Sequence, residues 1–151
     1  MDFITSIKTG FRKYVDFNGR ASRSEYWWWQ LFATGSTLIL STVIFVLSSC
    51  IGFIVGFLCS VIPPLTPVLT LIVYAISIIL TIVQWVLPLA LILPSWAVFV
   101  RRLHDTGYNG WWALLIRASN IFCFIGLIIE IIFACLQSVP EENEYGPVPE
   151  E

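Results

Sequence analysis

From Tyr26 through Val100 the chain carries no Asp, Glu, Lys or Arg, and this uncharged stretch constrains the fold more than any other feature. A soluble core of this size has no need of it, whereas lipid does. One helix crosses roughly 30 Å of hydrocarbon with about 20 apolar residues, so the stretch holds two or three crossings. A further apolar run, Trp111 to Leu136, is broken only by Arg117 and Glu130 and supplies one more. Composition agrees: 58% of the residues are hydrophobic and 12% charged, against about 45–50% apolar and 25% charged in soluble domains. The net charge of −2 says little about partners, but its distribution says more.

Residues 1–25 hold both signs of charge, and no short apolar region with a small-residue cleavage site follows, so no cleavable signal peptide is expected. Phe3, Ile4, Ile7, Phe11, Tyr14 and Val15 recur at helical spacing, with Lys8, Thr9, Arg12, Lys13 and Asp16 elsewhere on the wheel. The pattern predicts an amphipathic helix lying on an anionic leaflet; packing on the protein's own cytosolic end is the alternative. Asn18-Gly19 marks a turn, after which Ser22 or Ser24 can cap the next helix and Glu25 favours its first turn. Trp27, Trp28 and Trp29, at the mouth of the apolar run, read as interfacial anchors, as do Trp111 and Trp112 at the mouth of the last one.

The first span is expected over Trp27–Leu47. Ser48–Pro67 contains two glycines and three prolines around a short apolar core, and reads as a short helix, a re-entrant piece or an extension of its neighbours. Val68–Val100 would reach about 50 Å as one helix at 1.5 Å per residue, so Pro88 and Pro94 are expected to kink or split it. Cys50, Cys59, Cys123 and Cys135 stand singly in apolar runs, away from His104, and read as packing residues rather than metal ligands or disulfides.

Orientation follows the basic residues. Lys8, Arg12, Lys13, Arg20 and Arg23 precede the first span, and Arg101 and Arg102 follow the uncharged stretch; both groups belong in the cytoplasm. The expected architecture is therefore all-α: a polytopic transmembrane helix bundle of three spans, with four as the alternative, and an N-terminal amphipathic interfacial helix. Its parts are a cytosolic helix and basic turn (1–25), a transmembrane domain (26–137) with a cytosolic hairpin at 101–110, and an acidic tail (138–151). The last span would run outward from Trp111 to Leu136, placing the tail outside. Arg117 would snorkel near the inner end, and Glu130, about 20 Å further along, would approach the opposite interface.

Three blocks, "FNGRASRSEYWWW" (Phe17–Trp29), "LPSWAVFVRRLHDTGYNGWW" (Leu93–Trp112) and "NEYGPVP" (Asn143–Pro149), together resemble the signature blocks of a bacterial inner-membrane family catalogued as domain of unknown function 805. The likeness runs the length of the chain. It falls on Gly19, Arg20, Arg23, Glu25, Tyr26 and Trp27 in the first block, and on Arg101, Arg102, Leu103, His104, Asp105, Gly107, Gly110 and Trp111 in the second. The chain departs mainly over Ser48–Val86. The resemblance implies a small polytopic protein of the cytoplasmic membrane with three or four spans, and implies no activity.

The candidate site is the polar set Arg20, Arg23, Glu25, Arg101, Arg102, His104 and Asp105, which meets if both basic blocks lie at one leaflet. Arg101 and Asp105 can pair at i, i+4 if the helix continues past Val100, Thr106-Gly107 would end that helix, and Asn109-Gly110 would turn the chain. Read structurally, the set is an ion-pair cluster clasping the spans, several modest pairs fixing one register. Read as a binding site, its surplus of guanidinium forks suits an anionic lipid headgroup or lipid phosphate. A catalytic reading makes His104 a general acid or base with Glu25 as its better-placed carboxylate partner, but no nucleophile motif, phosphate loop or HExxH accompanies it. Transport lacks paired broken helices, and nucleic-acid binding has only orientation-setting basic residues behind it. The sequence thus favours a non-enzymatic structural or interaction role, with lipid-phosphate recognition at the arginines, with or without chemistry at His104, as the alternative. It implies no cofactor and no metal; the implied partners are the bilayer and its anionic phospholipids, and a membrane protein or a second copy of the chain.

Overall fold

The computed structural model describes residues 1–122 and 125–149; Cys123, read above as a packing residue, lies outside them. Helices α1 (Phe3–Arg12), α2 (Arg23–Val61), α3 (Thr66–Asp105), α4 (Trp111–Phe122) and α5 (Ile125–Cys135) follow in order, with a 3-10 turn at Pro63–Leu65 between α2 and α3. No strand occurs among the described residues. By contacts the chain forms two compact units: one is Thr34–Ala90, and the other joins Met1–Ala33 to Leu91–Glu151.

Thr34–Ala90 is a helical hairpin. α2 stops at Val61 because two prolines follow: Ile62, held at φ −129° and ψ 76°, takes the extended backbone that a residue before proline prefers, and Pro63 opens the tight turn. Of the readings left open for Ser48–Pro67, extension of the neighbouring helices is the one observed. Ser48, Ser49, Thr70, Ser77 and Thr81 return their hydroxyls to carbonyls one turn back, at 2.8 Å, so these polar groups are satisfied within the helix, as an apolar solvent demands. Phe45, Phe53, Leu71 and Tyr74 are all exposed, a surface suited to lipid and costly in water.

α3 continues through Pro88 and Pro94, so of the expected kink or split the split does not occur. α2 and α3 are 39 and 40 residues long, nearly 60 Å each at 1.5 Å per residue. These two are long and apolar enough to cross a membrane.

The second correction concerns Trp111–Leu136. In place of a single crossing, the structure has α4, of 12 residues, and α5, of 11, each about 17 Å long and well short of the hydrocarbon thickness. They pack on each other in opposite senses: Tyr108 meets Phe133, with ring centroids 4.9 Å apart, and Arg117 meets Glu130 at 2.7 Å. Gly126 permits the close approach, since a Cβ there would lie 2.2 Å from the Ile116 carbonyl oxygen. Glu130 therefore does not stand at the far end of a helix from Arg117. It is buried, accepting from Arg117 and from the Tyr26 hydroxyl at 2.8 Å.

α1 docks by its small residues. Ser6, Thr9 and Gly10 are buried, while Phe3, Ile4 and Phe11 are exposed, so the helix both packs on the protein and presents an apolar face outward. A Cβ at Gly10 would fall 2.2 Å from the Trp29 ring. Trp29, grouped by sequence with the interfacial anchors, is 1% exposed and donates its indole N–H to Ser95 Oγ at 3.1 Å. Trp27, Trp28, Trp111 and Trp112 are exposed.

Candidate functional site: a buried arginine clasp

The last turn of α3 carries Arg101, Arg102, His104 and Asp105, all buried. The helix stops there through a glycine cap: Gly107 has φ +81°, its N–H donates to the His104 carbonyl at 3.1 Å, and Tyr108 N–H donates to the Leu103 carbonyl at 3.0 Å. This pair of bonds is the Schellman arrangement, which favours glycine at the left-handed position. The chain then turns through Asn109-Gly110, and Asn109 Oδ1 accepts the Trp111 N–H at 3.1 Å to start α4.

Each arginine is bound on several sides by the chain itself. Arg101 donates to Glu25 at 3.1 Å and to the Asp16 and Lys13 carbonyls at 2.6 and 3.3 Å, tying down the loop after α1. Arg102 donates to Asp105, to Ser138 Oγ and to the Leu136 carbonyl. Arg20 donates through Nε to Asp105 at 2.9 Å, and through its η nitrogens to the Val139 and Glu141 carbonyls at 2.6 and 2.8 Å. Two backbone bonds complete the joint: Ala21 N–H to the Arg101 carbonyl at 3.1 Å and Val139 N–H to the Asp105 carbonyl at 3.0 Å. The expected i, i+4 pair of Arg101 with Asp105 gives way to Arg102 with Asp105 at i, i+3, because Glu25 takes Arg101.

His104 has neither carboxylate partner that the sequence suggests. Its Nδ1 lies 3.2 Å from the Gly19 carbonyl, and its ring stacks on Tyr145 with centroids 3.8 Å apart and planes 5° from parallel. The Glu144 carboxylate beside Tyr145 holds that phenol above its usual value, so the ring on the imidazole is neutral. Asn143 Nδ2 donates to the His104 backbone carbonyl at 2.9 Å. Arg23 opens α2, half-buried.

Six of the seven expected residues thus converge, with Arg23 at the margin. Missing from the sequence reading were their partners in the tail, Ser138, Asn143 and Tyr145, and the carbonyls of residues 136–141. The "NEYGPVP" block was the signal for the tail, but an outward last span kept it apart from the arginines. That placement is corrected here: the ends of the α4–α5 segment both return to Asp105, and the tail docks where the N-terminal segment docks. Among the described residues no three His, Cys, Asp or Glu side chains gather into a group able to hold a metal ion.

Two long apolar helices and a buried ionic joint that fastens both terminal segments define a helical membrane protein with a structural polar knot. The chain belongs to the family described as "Protein of unknown function (DUF805)", which it matches over residues 14–147. It is 37% identical over 138 residues to the "Inner membrane protein YhaH" of Escherichia coli (strain K12), covering 91% of this chain and 90% of that one. It is 30% identical, also over 138 residues, to the "Inner membrane protein YhaI" of the same strain, covering 91% and 89%. No solved structure matches.

Proposed function

We propose that the chain is an inner-membrane protein in which the arginine cluster is a clasp rather than a receptor for phosphate. The observation behind this reading is the engagement of the guanidinium forks: every η nitrogen of Arg20, Arg101 and Arg102 already donates to a carboxylate, hydroxyl or carbonyl of the chain, and only the Nε atoms of Arg101 and Arg102, which are buried, lack a partner. Three cations face two carboxylates, and the surplus charge is solvated by backbone carbonyls, not left for a headgroup. A charge buried at this depth is tolerated only when so paired and hydrogen-bonded.

The clasp joins the loop after α1, the end of α3 and the C-terminal tail, so both termini lie on one side. With basic residues on the cytoplasmic side, α2 and α3 make two crossings, and α4–α5 enters and returns without crossing. Lys8 and Arg12, exposed on α1, favour anionic lipid beside it. The exposed hairpin of α2 and α3 is the surface through which a non-enzymatic role, with lipid, a partner helix or a second copy, is exercised.

Topology fusions test the reading. A fluorescent protein that matures only in the cytoplasm should glow when fused after Pro149, and a phosphatase active only in the periplasm should stay silent there. The opposite pair of results restores the outward last span and removes the clasp, because a tail outside cannot meet Arg20.

A further inference from the structure

One nitrogen of the His104 ring takes no partner from the chain. His104 is 8% exposed; its Nδ1 is committed to the Gly19 carbonyl, which accepts only, so Nδ1 carries the hydrogen and Nε2 of the neutral ring is an acceptor. Among the described residues Nε2 takes part in no hydrogen bond. It borders a groove of about 330 Å³ whose walls are Trp96, Val100, Trp111 and Leu114. Asn109 and Gly110 share the polar end with His104, and no charged side chain lines the groove. Gly110 keeps this end open: a Cβ there would stand 2.9 Å from Nε2 and 2.8 Å from Val100 Cγ1.

Three features define what fits. An accessible acceptor on the wall of an apolar groove, with no donor from the chain, is the kind of polar group that fixes a ligand's orientation, so the occupant supplies an O–H or N–H. The lining has no cation to match a phosphate and no carboxylate to match an ammonium, so the donor is a neutral hydroxyl. The walls are apolar, Trp111 and Leu114 are exposed beside them, and the volume sits at the lower end of the roughly 300–1,000 Å³ usual for ligand pockets, which suits one hydrocarbon chain rather than two. We propose that this groove binds a single-chain lipid alcohol, its O–H donated to His104 Nε2 and its chain laid between Trp96 and Leu114. This goes beyond the clasp, which uses the other nitrogen of the same ring.

His104 is the only histidine in the chain, so full-length protein labelled with ¹⁵N-histidine, purified without a histidine tag and placed in phosphatidylcholine nanodiscs, gives one Nδ1 and one Nε2 resonance. Titration with oleyl alcohol should move Nε2 saturably and leave Nδ1 in place. Oleyl methyl ether, which lacks the donor, should bind roughly ten-fold more weakly, the worth of one hydrogen bond, and oleate should not compete. Leu114→Trp, which fills the groove without touching His104, should abolish the Nε2 shift while the unmoved Nδ1 signal reports an intact clasp. An Nε2 that does not move, an equal response to the ether, or a stronger one to oleate overturns the hydroxyl assignment. A stronger response to dioleoylglycerol overturns the single chain.

Discussion

Replacing Asp105 by Asn removes the carboxylate that two buried arginines share. Asp105 is fully buried, with Arg20 on one oxygen and Arg102 and Ser138 on the other. Asn keeps the shape, but its amide carries an N–H₂ in place of one carboxylate oxygen and no charge. If the oxygen stays on Arg20, the new donors face Arg102; if it turns to Arg102, they face Arg20. Either way one guanidinium is left buried beside a donor, and breaking a buried pair from one side costs about 3–5 kcal/mol. That energy is felt where the tail is held, because Arg20 and Arg102 together bind the carbonyls of Leu136, Val139 and Glu141. At 1.4 kcal/mol per factor of ten, opening of the tail should become at least about a hundred-fold more frequent. Amide hydrogen exchange followed at Val139, whose N–H is bonded to the Asp105 backbone carbonyl, reads that opening directly. We expect Asp105→Asn to speed its exchange by two orders of magnitude or more in detergent-solubilised protein. A change of less than about ten-fold would refute the clasp as the element that holds the tail.

Arg101→Lys keeps the charge but loses the fork that spans Glu25 and the Lys13 and Asp16 carbonyls. It should loosen the loop after α1 by about 1–3 kcal/mol, seen as faster exchange of the amides of residues 13–18 with Val139 little changed. Gly10→Ala should lower the melting temperature: overpacking against the buried Trp29 ring costs about 1–3 kcal/mol, more than the roughly 1 kcal/mol that alanine gains over glycine within a helix. A rise would mean that α1 does not dock there. Tyr26→Phe removes the hydroxyl from Glu130 but leaves the ion pair with Arg117, so the loss should be about 1 kcal/mol in a denaturant titration; a loss several times larger would show that the tyrosine, not the arginine, holds Glu130.

The sequence by itself determined the solvent and the local stops. An uncharged stretch from Tyr26 to Val100 admits only helices in lipid, because no other open structure satisfies its backbone there. Gly107 and Asn109-Gly110 end α3 and start α4 through bonds made within a few residues, so their chemistry is legible from order alone. The clustering of Arg20, Glu25, Arg101, Arg102, His104 and Asp105 was also legible, since both charge blocks flank the same apolar stretch.

Tertiary structure decided the partners. Which carboxylate takes Arg101 depends on where the start of α2 meets the end of α3, not on the i, i+4 rule: Glu25 takes it at 3.1 Å. The backbone carbonyls of Leu136, Val139 and Glu141, which solvate the surplus cations, belong to every residue type and leave no sequence signature. Trp29 reads like its two exposed neighbours until Gly10, from a separate helix, opens a seat for its ring. Arg117 and Glu130 look like opposite ends of one span; they become an ion pair, half-buried at the arginine and buried at the carboxylate, only because α5 folds back on α4, and with that return the tail comes to lie on the arginines.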